Sequence, residues 1–280
     1  MYNQFKTVIL LGALTTILLL IGSFFGNGGL FIAFLFALIM NVGSYFFSHK
    51  IVLAMYRAKE ASQKQYPRLY HMVEKLSKEA KIPEPKIYII PTQTSNAFAT
   101  GRNPEHAVVA VTEGIMHLLS EHELEGVLAH ELAHIKNRDI LITTIAATIA
   151  SVISYIAFTA RYAALFGGVG RDRDSSNIVE LLFLALVAPI AALIIQLAIS
   201  RSREYLADAS GARFIKNGKP LASALKKLED HARSHPLHFG SPSTASLFIV
   251  NPFSGRAFMS LFSTHPPMEM RIQKLEMMKF

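Results

Sequence analysis

Residues 120–139 read SEHELEGVLAHELAHIKNRD, and this stretch predicts the helix around which the rest of the fold is arranged. Ser120 is a favourable N-cap residue, and Glu123 follows at the position that completes a capping box. After Gly126, neither glycine nor proline occurs before Gly167, so nothing in the sequence interrupts a helix that begins here. We therefore expect one helix from Ser120 through residue 139.

The expected helix carries the pattern His-Glu-x-x-His at residues 130–134. Side chains four residues apart share a helical face, so His130 and His134 can reach one metal ion, and Glu131 can reach a water bound to it. A catalytic zinc takes three protein ligands and keeps one position open. Glu204 is the candidate third ligand, and Asp208, one turn later, could accept the outer N–H of a ligand histidine.

Glu204 has a second interpretation when it is considered alone. It lies beside Arg201 and Arg203, where a solvated surface charge is the simpler explanation. The upstream histidine motif favours the ligand interpretation. The other histidines, which lack ligand spacing to the motif, are expected to be surface or core residues: His71, His117, His122, His231, His235 and His238.

The composition narrows the class of protein. The chain has 280 residues, half of them hydrophobic, and no cysteine, which excludes disulfides and thiol chemistry. The net charge of +8 is compatible with nucleic acid or with anionic lipid headgroups. Because the apolar residues come in long uncharged runs, we expect the lipid bilayer as a partner and no nucleic acid.

Four apolar runs are long enough to cross or enter a bilayer. They are Thr7–Phe25, Leu30–Phe47, Ile140–Ala160 and Ile178–Ile199. A turn at Gly26–Gly29 joins the first two and carries no lysine or arginine, whereas Lys50, Arg57 and Lys59 follow the second run. The positive-inside rule then places both ends of this hairpin in the cytoplasm. Buried core helices are the alternative for the third and fourth runs.

The polar parts of the chain predict an α+β catalytic domain that is mainly helical. The expected helices are Pro67–Ala80, Thr112–Leu119, Ser200–Phe214, Leu221–Arg233 and a basic helix that ends at Phe280, and the expected strands are Lys86–Ile90, Asn96–Gly101 and His106–Val111. The domain organisation that follows has four segments. They are a transmembrane hairpin (1–50), a first catalytic part (51–139), a membrane-embedded hairpin (140–200) and a second catalytic part (201–280).

The spacing between motifs and apolar runs predicts where the site lies relative to the membrane. His134 precedes Ile140 by about 9 Å of helix, and Glu204 follows Ile199 by about 7.5 Å. If both helices continue unbroken, the two ligands lie at nearly the same height above the cytoplasmic membrane surface. Two crossings between the motifs keep them on the same side of the bilayer.

Several motifs together resemble the HtpX family of membrane-bound zinc metalloproteases: HELAH at 130–134, EYLAD at 204–208, NAFATG at 96–101, and HPP at 265–267 with Arg271. The resemblance implies a zincin-like catalytic domain and a zinc endopeptidase of the bacterial cytoplasmic membrane that degrades misfolded or damaged membrane proteins. It implies His130, His134 and Glu204 as ligands of one Zn²⁺, with Glu131 as the catalytic acid and base.

Two further sets of residues are candidates for the reaction. The tetrahedral oxyanion needs a donor besides the metal, and His265 and Arg271 are the candidates. For His265, a structural position at the start of a helix is an equally good explanation. An extended substrate would pair with an edge strand, for which we expect Asn96, Ala97 and Phe98, with Asn96 directed at the substrate.

Three other functions remain as alternatives. A non-catalytic membrane scaffold with a structural metal would close the fourth coordination position and would not need Glu131. A CAAX-type prenyl protease shares the motifs, although that enzyme is longer and has more spans. A protease that cuts within the bilayer would carry the motif inside an apolar run, whereas here acidic residues precede it.

Overall fold

A computed structural model of the chain describes residues 26–141, 201–234 and 266–280, together with residues 11, 12, 15, 16, 18–20, 22, 23, 145 and 249. The third and fourth apolar runs therefore lie almost wholly outside the described residues, and so does His265. The first run is described only in part.

Helix α1, Gly26–Met55, contains the second apolar run. Its 30 residues correspond to about 45 Å of helix. Residues Gly26–Gly43 are the one window of the described chain that is apolar and long enough to cross a membrane, and only 6% of it is buried. The turn predicted at Gly26–Gly29 is shorter in the structure. Gly26 alone adopts the left-handed conformation, with φ 71°, and Asn27 is already part of the helix.

The sheet has four strands: β1 Lys59–Glu60, β2 Lys86–Ile90, β3 Ala97–Gly101 and β4 Ala107–Thr112. Their order is β1-β2-β4-β3, with β2 parallel to β4 and the other pairs antiparallel. The three predicted strands are confirmed, and β1 is an addition. β3 lies at the edge of this sheet, so within the described part of the chain its outer edge pairs with no strand.

Within the described residues, six more helices surround the sheet: α2 Pro67–Ala80, α3 Glu113–Leu118, α4 Glu121–Lys136, α5 Arg201–Ile215, α6 Lys219–Ser234 and α7 Met268–Glu276. A single 3₁₀ turn, Pro104–His106, links β3 to β4. The predicted helices of the catalytic part are confirmed within three residues at the described ends, except that the last helix ends at Glu276, four residues before the predicted Phe280. In α2 the predicted face is the buried one, with Leu69, Val73 and Leu76 inside.

The sheet is packed on both faces, as the alternation of strand side chains requires. Ala97 and Ala99 of β3 lie in the main core, which also contains the apolar residues of α4. Phe98, between them, points to the opposite face and packs with Val52 and Leu53 at the end of α1. The end of the apolar helix and the metal-motif helix thus contact opposite faces of the same strand.

Helix α4 begins as predicted and ends earlier than predicted. Its first turn has the complete capping box of Ser120 and Glu123. After Lys136, Arg138 adopts a left-handed conformation with φ 58°. The N–H of Asp139 then donates to the His134 carbonyl (3.3 Å), and the Arg138 N–H donates to the carbonyl of the residue before Lys136 (3.1 Å). These two bonds form a Schellman motif, which ends the helix without glycine.

This helix end corrects the predicted geometry of the membrane approach. The chain does not continue as one unbroken helix from His134 to the apolar run at Ile140, so the rise of about 9 Å along one axis does not apply. Ile140 is helical again, but it follows the turn at Arg138.

Helix α5 crosses α4 at very close range. Glu204, Asp208 and Gly211 occupy positions i, i+4 and i+7 of α5, so they lie on one face. A Cβ added to Gly211 would come within 2.8 Å of the His130 backbone nitrogen, a distance that real contacts do not allow. The absence of a side chain at Gly211 is what lets α5 bring its two carboxylates up to the histidines.

Candidate metal centre

His130, His134 and Glu204 converge to form a cluster in which all three ligand atoms lie within 4.8 Å of one another. The Nε2 atoms of the two histidines are 3.1 Å apart. Each Nε2 is 3.7 Å from a carboxylate oxygen of Glu204. Tetrahedral zinc with bonds of about 2.0–2.1 Å holds neighbouring ligand atoms about 3.3 Å apart, so these spacings fit one ion.

The opposite ring nitrogens of the histidines face carboxylates. His134 Nδ1 is 3.1 Å from both carboxylate oxygens of Asp139. His130 Nδ1 is 2.9 Å from Asp208 Oδ1, although the contact is too bent for a regular hydrogen bond. A carboxylate beside Nδ1 favours a proton on that nitrogen. The Nε2 lone pairs are then free to face the centre of the cluster, as metal ligands require.

Arg271 connects helix α7 to this arrangement and is fully buried. Its Nε and one terminal nitrogen donate to the two carboxylate oxygens of Asp208, at 2.8 and 2.7 Å. Its other terminal nitrogen is 3.5 Å from Glu204. Burial opposes ionisation of Asp208, but Arg271 outweighs it and lowers the pKa of Asp208 to about 2. Arg271, one of the two predicted oxyanion donors, therefore contacts two carboxylates in the structure.

Glu131 lies next to the ligand histidines and is also buried. Its Oε2 accepts a hydrogen bond of 2.8 Å from the backbone N–H of Ala99 in β3. Burial raises the pKa of Glu131 above its ordinary value, while the neighbouring histidines and the Ala99 N–H oppose that rise. A carboxyl group with a raised pKa is suited to accepting a proton and returning it.

The charges of the cluster fit a bound cation. Four buried carboxyl groups surround the two imidazoles: Glu131, Asp139, Glu204 and Asp208. Arg271 is the buried guanidinium that balances them in part. Burial lowers the pKa of His134, but Asp139 and Glu204 outweigh it and raise that pKa to about 10, which shows how strongly the pocket favours positive charge. A divalent cation would supply that charge without leaving buried carboxylates unpaired.

The predicted substrate residues lie at the edge strand, but their side chains face inward. Asn96 is buried, and its side-chain oxygen accepts a hydrogen bond from the Ile249 N–H at 3.2 Å, so it is directed at the protein and not at open space. Ala97 is in the core beside α4, and Phe98 packs on Tyr56, the residue that follows α1. What β3 offers a partner is its backbone edge.

Two positions that matter for this geometry are absent from the sequence predictions. Asp139 was treated only as the last residue of a helix, and Gly211 was not considered. The sequence signal that could have identified Asp139 is an acidic residue five positions after the second histidine of the motif. A helix end at that point can turn the carboxylate back toward the histidine. Among the described histidines, only His130 and His134 belong to the cluster; His235 and His238 lie outside the described residues.

Comparison with known proteins agrees with this geometry. Residues 63–279 match the model of peptidase family M48. A "Protease HtpX homolog" of Syntrophobacter fumaroxidans is 55% identical over 99% of this chain and 100% of its own length. A "Protease HtpX homolog" of Pyrococcus furiosus is 55% identical over 96% of this chain and 94% of its own.

One solved structure shows a similar fold. The crystal structure of S. mikatae Ste24p matches with a TM-score of 0.55 and 17% identity, over 98% of this chain and 66% of that chain. At this identity the likeness concerns the fold alone.

The motif, the ligand cluster and the helices around the sheet define a membrane metalloprotease. The chain belongs to peptidase family M48. The resemblance to the HtpX family is thereby confirmed, and the non-catalytic scaffold is excluded.

Proposed function

We propose that this chain is a zinc-dependent endopeptidase that spans the cytoplasmic membrane several times and cleaves misfolded or damaged membrane proteins from the cytoplasmic side. The observation that carries the proposal is the cluster of His130, His134 and Glu204 with Glu131 beside it. Bound to those three ligands, zinc would polarise the scissile carbonyl and acidify a water molecule.

The proposed role of Glu131 is proton transfer. It takes a proton from the attacking water and later delivers it to the leaving amine. The Ala99 N–H fixes one of its two carboxylate oxygens, which leaves the other oxygen for the water. The same bond ties the catalytic carboxyl group to β3, so the group that moves the proton and the strand that would hold the substrate have a fixed spacing.

The proposed substrate position is the outer edge of β3, the strand at the end of the described sheet. An extended chain added there would form backbone hydrogen bonds as a further strand, with little demand on its side chains. Since the side chains of Ala97 and Phe98 are buried, we assign substrate binding to the backbone of these residues. His265 stays a candidate oxyanion donor. For Arg271, the bidentate bond to Asp208 favours a positioning role instead.

The membrane part of the proposal rests on α1 and on composition. The exposed apolar surface of α1 would be unfavourable in water over the 18 residues of Gly26–Gly43. The end of α1 packs on the sheet that contains β3, the strand whose Ala99 N–H donates to Glu131. This contact keeps the proposed active site near the membrane surface. The four-segment organisation and the cytoplasmic orientation follow from the apolar runs and the positive charges after α1.

The decisive test compares the purified full-length protein with Glu131→Gln on an unfolded protein substrate, with and without chelator. We expect Glu131→Gln to bind one zinc per chain and to lose about two to four powers of ten in rate, because glutamine has a similar shape and cannot act as a base. A variant with full activity would refute the mechanism. Equal activity after chelation would refute the metal requirement.

A further inference from the structure

Three aromatic side chains follow the candidate span on α1. Tyr45, Phe46 and Phe47 are 39%, 44% and 50% exposed, just after the window that ends at Gly43. Tyrosine at this position is typical of the level where a membrane helix passes from hydrocarbon to headgroups. Lys50, exposed, comes one turn later. We therefore place the membrane surface at this height on α1.

The link between β3 and β4 reaches the same height. The guanidinium of Arg102 lies over the ring of Phe46, at 5.5 Å, and the Lys50 ammonium lies at the same distance from the Phe47 ring. Arg102 also contacts His106 at 2.8 Å. Since arginine can only donate, His106 Nε2 accepts this bond. We call Lys50, Arg102 and His106 the basic collar, in which Lys50 and Arg102 carry the positive charge. The collar stays positive even with Glu105, the acidic residue of the link.

A neighbouring histidine shows that these charges converge. His49 is partly buried next to the collar. Burial, followed by electrostatic interactions with Lys50, Arg102 and His106, lowers the pKa of His49. A lipid phosphate is the anion that lies at the level of a membrane surface, where basic side chains attract it.

The orientation of β3 relative to α1 follows from two contacts. Phe98 packs on Tyr56, with ring centroids 5.7 Å apart, and Arg102 lies over Phe46. The four steps from residue 98 to residue 102 cover about 13 Å of extended chain, and the ten steps from residue 46 to residue 56 cover about 15 Å of helix. The two elements therefore lie antiparallel and side by side, and the Gly101 end of β3 is the end nearer the membrane.

We infer that the basic collar is a binding site for the headgroups of anionic phospholipids, and that it seats the membrane end of β3 on the bilayer surface. This inference deepens the proposed function, on which it rests. A polypeptide that pairs with β3 would then run along the axis of α1, away from the headgroups. The preferred substrates would be segments that leave the bilayer as extended chain.

The test uses the full-length protein with the Glu131→Gln substitution, reconstituted in nanodiscs, so that no proteolysis is needed and failure of the proposed reaction cannot affect the result. Because the chain lacks cysteine, Ile51→Cys places a single fluorophore beside the collar without changing its charge. Its quenching is compared for headgroup-spin-labelled phosphatidylglycerol and phosphatidylcholine at equal mole fraction. One basic residue near an anionic surface is worth about fivefold in local lipid enrichment, so we expect stronger quenching by phosphatidylglycerol.

The paired variant Lys50→Gln, Arg102→Gln should bring the quenching ratio close to one. The matched control Lys64→Gln, Lys226→Gln removes two exposed cations from a loop and from α6, and should keep the ratio. A quenching ratio near one in the labelled protein that keeps the collar would overturn the inference. An equal fall of the ratio in the collar variant and in the control variant would overturn it as well. Loss of the preference on adding millimolar glycerol phosphate would assign the site to soluble phosphates instead. Thermal midpoints of both pairs verify folding.

Discussion

The two histidines of the proposed metal site are held in different ways. His134 is supported locally: Asp139, five residues later, is turned back to its Nδ1 by the left-handed Arg138. His130 is supported from a distance, because Asp208 comes from α5 and is itself fixed by Arg271 from α7. One half of the centre is thus built within a single helix end, and the other half exists only when three helices are packed together.

This difference predicts separate consequences for metal binding and for folding. Breaking the local support changes one contact of one ligand and leaves the packing of helices intact. Breaking the long-range support leaves two carboxyl groups, those of Asp208 and Glu204, buried against each other without their guanidinium. Buried charges that lose a partner are strongly destabilising.

The largest effect is expected for Arg271→Ala. Removing one partner of a buried ion pair costs about 3–5 kcal/mol, so this variant should lose both zinc and much of its unfolding free energy. Thermal unfolding and zinc content measure the two losses. Gln273→Ala, an exposed substitution on the same helix, is the control. If Arg271→Ala kept its zinc and its unfolding midpoint and lost only kcat, Arg271 would be an oxyanion donor as first predicted.

The local support gives a smaller and more selective effect. Asp139→Ala should weaken zinc binding by about 10–100-fold, the usual consequence of losing the carboxylate behind a ligand histidine. Asp139→Asn keeps an oxygen acceptor and should lose less. A competition titration against a zinc chelator gives the dissociation constants, and Lys136→Ala, exposed on the same turn, serves as the control. An unchanged constant in Asp139→Ala would contradict the assigned role.

Glu123, at the other end of α4, combines local and long-range contacts. It completes the capping box with Ser120 and accepts hydrogen bonds from Ser223 and Lys227 of α6, at 2.7 and 2.8 Å. Burial opposes its ionisation, but the bonds from Lys227, Ser223 and Ser120 outweigh it and lower the pKa of Glu123 from 4.5 to about 2.

The sign of the pH effect follows from that direction. A carboxyl group with a lowered pKa in the folded state stabilises it above pH 4.5, and this contribution is lost as the pH falls toward 2. Because the Lys227 side chain is 47% exposed and screened, we expect a difference of about 1–2 kcal/mol between wild type and Glu123→Gln at neutral pH. Unfolding free energies measured from pH 7 to 2 should converge, and a constant difference would refute this interpretation.

The spacing of residues within each helix of the centre could be predicted from the sequence. Residues four apart on one helix must share a face, so the pairing of His130 with His134, and of Glu204 with Asp208, needed only helical periodicity. Helix α2 was predictable for the same reason, and β2, β3 and β4 were predictable as short apolar runs. The contact between Arg271 and Asp208 was not, because it depends on where α7 packs.

Asp139 shows that a local feature can also escape prediction. The Schellman motif that aims it at His134 normally uses glycine, and here the left-handed position is occupied by Arg138, which carries no such signal. The sequence between the ligand and the apolar run therefore looked like continuous helix. The predicted direction of the Asn96 side chain was wrong for a different reason. Its hydrogen-bond partner, the N–H of Ile249, is remote in sequence.

The smallest predicted effect tests whether the turn at Arg138 is required. Arg138→Gly and Arg138→Ala both remove the arginine side chain with its interactions, so the comparison between them isolates the backbone. A left-handed residue with a Cβ costs about 1 kcal/mol relative to glycine, and the glycine variant should be more stable by that amount. If the turn also aims Asp139, the alanine variant should bind zinc more weakly than the glycine variant, because any relaxation of the strained turn moves the carboxylate away from His134. Equal zinc affinities with unequal stabilities would mean that the turn only ends the helix. Equal stabilities would mean that the left-handed conformation is not maintained at residue 138, and the local support of His134 would then need another explanation.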